Sequence, residues 1–258
     1  MSEEKVIQHA HKAVHAIAKK EKTWWGRIKE FLGEIIIIVI AVSITLWFHN
    51  WNDHVHERKI EKEFLIGTRN DLKVTAERLD TDIMHYQHTI DYYDTISAQM
   101  SENRVDKKFM DDNSGNLTNM LGFEFDNSRF ESFKSSGYLR LIENQKLLQD
   151  ITKLYGVTLP DRQASDLIVF TERRNQYVQY IGSKVPTGPQ GNSIVSDFIN
   201  DPAVRFQIIW QRNMVHEIRD QKVKLIPEIQ NVIKEIDEEL KDNFGYDSNE
   251  TNNDETIF

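Results

Sequence analysis

The chain of 258 residues has no cysteine, which excludes a disulfide framework, a thiolate metal site and a thiol nucleophile. It holds only 5 prolines and 11 glycines, so long stretches run without a residue that breaks a helix. No phosphate-cradling glycine loop, no Gly-x-Ser-x-Gly elbow and no EF-hand loop is present. A zinc-protease motif is begun by His216-Glu217 and abandoned, because Asp220 stands where the second histidine is required. The expectation is a protein without an enzymatic role, cofactor or bound metal.

What the chain does hold is charge and one apolar run. Its net charge is −9. The uninterrupted run Ile35–Phe48 is short for a membrane crossing, but Leu32–Trp51 gives about 30 Å of helix, the thickness of a hydrocarbon core. Ser43 and Thr45 can bond back to their own helix. Trp24 and Trp25 before the run, and Trp47 and Trp51 at its far end, have the amphipathic rings that favour the two interfaces. Glu34 sits at the head of the run, where its carboxylate can reach the headgroup layer or Lys29. These five residues are the expected membrane anchor. No small-residue cleavage site follows Phe48, which disfavours a signal peptide.

Residues 1–33 hold seven basic and four acidic residues, a net of +3, so the remainder carries −12. By the positive-inside rule the head is expected in the cytoplasm and the larger body on the far side of the membrane. The head, 1–30, has Val6, Ala10, Val14 and Ile17 on one amphipathic face, and His11 and His15 a helical turn apart. The span is 31–51, the extramembrane domain 52–241, and the Asn- and Asp-rich tail 242–258 is expected to be disordered.

From the span onward, helix is predicted through a long stalk over 52–100. A seven-residue repeat runs through it: Leu65, Leu72, Leu79, Tyr86 and Tyr93 fill one position, with Ala76, Ile83 and Ile90 in the partner position. Arg69 and Ser97 interrupt this seam, which serves either an oligomeric coiled coil or the core of a bundle. Residues 101–128 read as a polar connection. Ser135-Ser-Gly137 is a helix stop, Asn144 a cap, Pro160 the opening of another helix to about Ile181, and Asp201-Pro202 the start of the last. Pro227 is expected to kink that last helix. The fold class is therefore all-α: one N-terminal transmembrane helix continuing into a long helix, against which the later helices pack antiparallel in an extramembrane bundle.

Two blocks carry a resemblance. Gly33-Glu-Ile followed by the apolar run, Asn50-Trp-Asn, Arg58-Lys, Glu61 and Asp71-Leu form the first. Phe133-Lys-Ser-Ser-Gly-Tyr-Leu-Arg-Leu-Ile-Glu-Asn-Gln-Lys-Leu forms the second. Together, over about residues 25–155, they resemble a family of single-pass bacterial membrane proteins defined by a domain of unknown function. The resemblance implies an inner-membrane location and a helical extramembrane domain, and it transfers no activity or site.

Three functional expectations follow. The first is a membrane-anchored interaction or scaffold protein that works as a homo-oligomer or with a protein partner. The second is a single-pass sensor whose bundle binds a small ligand, with Asp91-Tyr-Tyr-Asp94 and Arg174-Asn-Gln-Tyr-Val-Gln-Tyr180 as candidate lining. The third is an accessory subunit of a membrane machine. The acidic body lacks the basic face that phosphate contacts need, which disfavours nucleic acid. The histidines near the span, His49, His54 and His56, are read as interfacial polar residues.

Overall fold

The computed structural model describes residues 24–117, 120–186, 188 and 194–246. The amphipathic head with His11 and His15 and the tail from residue 247 lie outside the described residues. Among those described the protein is all-α, with seven α-helices and no strand. The chain divides into two compact units, Met1–Glu57 and Arg58–Phe258.

Helix α1, Trp24–Ser101, contributes its first part to the first unit and its residues from Arg58 to the second. Its 78 residues contain no proline, which is why nothing breaks it sooner. It ends where Asn103 takes a left-handed conformation (φ 54°), and the Arg104 N–H turns back to the Gln99 carbonyl. Asn is one of the few side chains that tolerate this cap.

Within the second unit the remaining helices are α2 (Lys107–Asp112), α3 (Ser128–Ser135), α4 (Gln145–Lys153), α5 (Leu159–Ile168), α6 (Arg174–Lys184) and α7 (Pro202–Phe244). The predicted signals act as physical stops and starts. Gly137 is left-handed (φ 73°) after α3, the Asn144 side chain accepts the Leu147 N–H, and Asp201 accepts the Ala203 N–H. Helix α7 passes Pro227 without ending and closes at left-handed Gly245, where both Gly245 and Tyr246 donate to the Leu240 carbonyl. The expected tail thus begins too early, since Asp242–Phe244 are helical.

Pro160 does not open a separate helix. A π turn at Leu154–Thr158 joins α4 to α5, and a second at Val169–Arg173 joins α5 to α6, so residues 145–184 form one rod. In the first turn the Leu159 N–H reaches back five residues to the Leu154 carbonyl, which lets the chain carry a proline past without a break.

The direction of this rod also differs from expectation. Contacts 58–244, 69–237, 82–222, 94–212 and 100–205 make α7 antiparallel to α1. Contacts 61–143 and the 82–222–166 cluster show that the rod instead runs parallel to α1. Residues 102–144 make this possible as a return strap, touching Tyr92 at Met110, Tyr86 at Leu121 and Asp71 at Arg129 in descending order along α1.

Two hydrophobic clusters fill the bundle. One joins Leu65, Leu72, Leu79, Leu147, Ile151, Leu225, Ile229 and Ile236. The other joins Tyr86, Ile90, Tyr93, Ile96, Tyr177, Val204, Ile208 and Val215. Val223 and Leu167 are exposed.

Candidate functional site

In the first unit nothing among the described residues covers the apolar stretch. Every large apolar side chain from Ile35 to Phe48 is at least 40 % exposed, and this is the one helix among the described residues long and apolar enough to cross a membrane. Trp24 and Trp25 meet edge to face at 5.2 Å, Trp47 and Phe48 at 5.1 Å, and Trp51 is exposed with them. The Thr45 hydroxyl donates to the Ala41 carbonyl at 2.9 Å, which hides its polarity within the helix. Glu34 is exposed at the head of the stretch, and the side chain of its expected partner Lys29 lies outside the described residues.

In the second unit the heptad residues are occupied within one chain. Leu65, Leu72, Leu79, Tyr86, Ile90 and Tyr93 are each at most 2 % exposed, and Ile83 is half-buried. They are core residues of the bundle, so the proposed oligomer seam is not a free surface in this fold. The interrupting Arg69 is buried too, neutralised by Asp237 of α7 at 2.5 Å.

Between the two hydrophobic clusters lies a charged layer that periodicity does not announce. The Lys222 ammonium is 3.3 Å from Asp82 and 3.0 Å from Asp166, and it faces the rings of Phe123 at 5.2 Å and Tyr86 at 5.8 Å. Its side chain is 4 % exposed. The contact to Asp82 has hydrogen-bond geometry, whereas that to Asp166 is a charge contact alone. One cation thus ties α1, α5 and α7 together. Two carboxylates and a lysine aimed at one another suit the setting of helix register.

The tyrosines of α1 clamp the strap. The Tyr86 hydroxyl donates to the Leu121 carbonyl (2.6 Å) and accepts the Leu121 N–H (3.0 Å), Tyr92 donates to Met110, and Tyr93 donates to Leu117. Burial pushes all three phenols well above their ordinary range, so they stay neutral donors.

A second polar cluster surrounds Glu61, whose side chain is fully buried. It accepts from Arg58 at 2.5 Å and from the Glu143 N–H at 3.3 Å. Burial pushes its carboxyl up and the neighbouring charges of Glu239 and Glu143 add to this, against the opposing pull of Arg58 and the Glu143 N–H. Glu239 is itself held by Asn144 and Asn243. His216 bonds Asp94 at 3.1 Å beside Arg212, which clasps α7 to α1. No group of three His, Cys, Asp or Glu among the described residues is arranged to hold a metal ion. No family model, no curated protein and no solved structure matches this chain.

Proposed function

We propose that this protein is a membrane-anchored helical interaction or scaffold protein of the bacterial envelope, with a cytoplasmic head and a periplasmic bundle. The observation that carries the reading is the uncovered apolar stretch of α1, flanked by Trp24 and Trp25 at one end and Trp47 and Trp51 at the other. Burying so much apolar surface in lipid is the simplest way to remove it from water. The orientation rests on the +3 head against the −12 remainder, and the inner-membrane location also on the resemblance of the two sequence blocks. A non-enzymatic role is favoured because the buried charges, Lys222 with Asp82 and Asp166, are aimed at one another. With the heptad residues occupied inside one chain, partners meet the acidic outer faces of the bundle or the span itself.

The test is purification of the tagged full chain in mild detergent from its own cells, with mass spectrometry of co-eluting proteins and light scattering for the mass. A reproducible partner or a defined homo-oligomer is expected. A monomer that co-elutes with nothing overturns the reading. Glu34→Gln in the same assay separates a snorkelling carboxylate, which leaves the complex intact, from one that holds a partner within the membrane.

A further inference from the structure

A cleft between the rod and α7 has a construction that packing alone does not require. On one side stands the π turn Leu154–Thr158, on the other Pro227, whose missing N–H leaves the Val223 carbonyl without its helical donor. Two interruptions of the helical hydrogen-bond ladder therefore border the same space. Single π turns inside α-helices recur at functional sites, where they re-aim side chains.

The space is about 300 Å³, at the lower end of the range for small-molecule sites. Its floor is apolar, formed by the buried Leu154 and Val232. Its rim carries both signs of charge: Asp150 and Lys153 from the rod, and Glu228 from α7, with the Thr158 hydroxyl and the Asn231 amide between them. Asp150 is already engaged by Lys146, and the Asn231 amide nitrogen by Glu235, which leaves the Asn231 carbonyl oxygen free to accept. Among the described residues the side chains of Lys153, Thr158 and Glu228 make no hydrogen bond or ion pair.

We infer that this cleft binds a small zwitterionic amino compound, of the size and chemistry of a free amino acid. A purely anionic guest meets the carboxylates of Asp150 and Glu228, and a purely cationic one meets the Lys153 ammonium. A guest with one group of each sign satisfies both walls: its carboxylate on Lys153 and Thr158, its ammonium on Glu228 and the Asn231 oxygen, its side chain over Leu154, Pro227 and Val232. Such a guest bridges the rod and α7 where each has lost part of its own ladder, and so stiffens the bundle. The inference does not depend on the scaffold reading, since it concerns a site within the second unit.

The experiment is thermal unfolding of the full chain in detergent with each standard amino acid at millimolar concentration, beside acetate and ethylamine as single-charge probes. At least one amino acid raises the Tm by about 2–4 °C, acetate and ethylamine do not, and the rise disappears in Lys153→Ala and in Glu228→Gln. Both residues are exposed, so the unliganded Tm of each variant stays at the parent value and reports that the fold is intact. No shift with any amino acid, a shift matched by acetate or ethylamine, or one that survives in both variants overturns the inference.

Discussion

The ammonium of Lys222 lies 3.0 Å from the carboxylate of Asp166 on a different helix, with both side chains less than a tenth exposed. Asp82 completes the cluster from a third helix. Breaking such a cluster leaves a charge without water or partner, whereas neutralising all of it together does not. Lys222→Met is therefore expected to destabilise the bundle by about 3–5 kcal/mol, by leaving two buried carboxylates facing each other. The triple variant Lys222→Met, Asp82→Asn, Asp166→Asn recovers most of that loss. Denaturant unfolding of the second unit's signal checks both, and a triple variant as weak as the single one shows that the layer acts by shape rather than charge.

Tyr86→Phe removes a hydroxyl that both donates to and accepts from Leu121, and so uncovers two backbone groups of the strap at once. A loss of about 1–3 kcal/mol is expected, larger than for Tyr92→Phe, which removes one bond. Limited proteolysis gives a second readout, with earlier cutting near Leu121 in the Tyr86 variant alone.

Glu61 predicts a pH dependence of definite sign. Its native carboxyl is pushed above the ordinary value of about 4.3 by burial, so in that window the folded chain holds a proton the unfolded chain has released. Its contribution to stability is complete below the unfolded value and declines as pH rises through the native one. Glu61→Gln removes this decline, so the stability difference between variant and parent grows in the variant's favour as pH rises from about 4 toward neutrality. A difference that stays flat with pH contradicts the assignment.

At Gly67 an added Cβ would meet the Arg129 guanidinium at 2.2 Å, so Gly67→Ala must push that flexible side chain off Asp71. The helix gains about 1 kcal/mol from replacing glycine, and the half-exposed pair contributes at most about as much, so the net change is small. The pair's coupling is the sharper observable. In a double-mutant cycle, Arg129→Ala and Asp71→Ala interact in the parent and become additive in the Gly67→Ala background.

Caps and stops were legible because they depend on local chemistry: Asn144, Asp201 with Pro202, and Ser135-Ser-Gly137 each need only their neighbours. The heptad pattern of α1 also marked its buried face, since Leu65, Leu72, Leu79, Tyr86 and Tyr93 all lie in the core. It could not say what covers that face, because a seam reads alike whether its partner is another copy or α7. The Lys222 layer was hidden for a different reason. Asp82, Asp166 and Lys222 are 140 residues apart at most, and each taken singly looks like part of a solvated face. Pro160 misled in a third way, since a π turn gives the proline a place inside a helix that a helix start would otherwise supply.

The strap, by sending the rod parallel to α1, leaves the closing of α1 to the last helix of the body. Ion pairs and hydrogen bonds between α1 and α7 join residues 105 to 168 positions apart. During synthesis the apolar face of α1 must therefore wait for its cover while the intervening chain is made, on the order of ten seconds at ribosomal speed. A nascent chain of this protein carries an uncovered stripe of leucines and tyrosines for that interval.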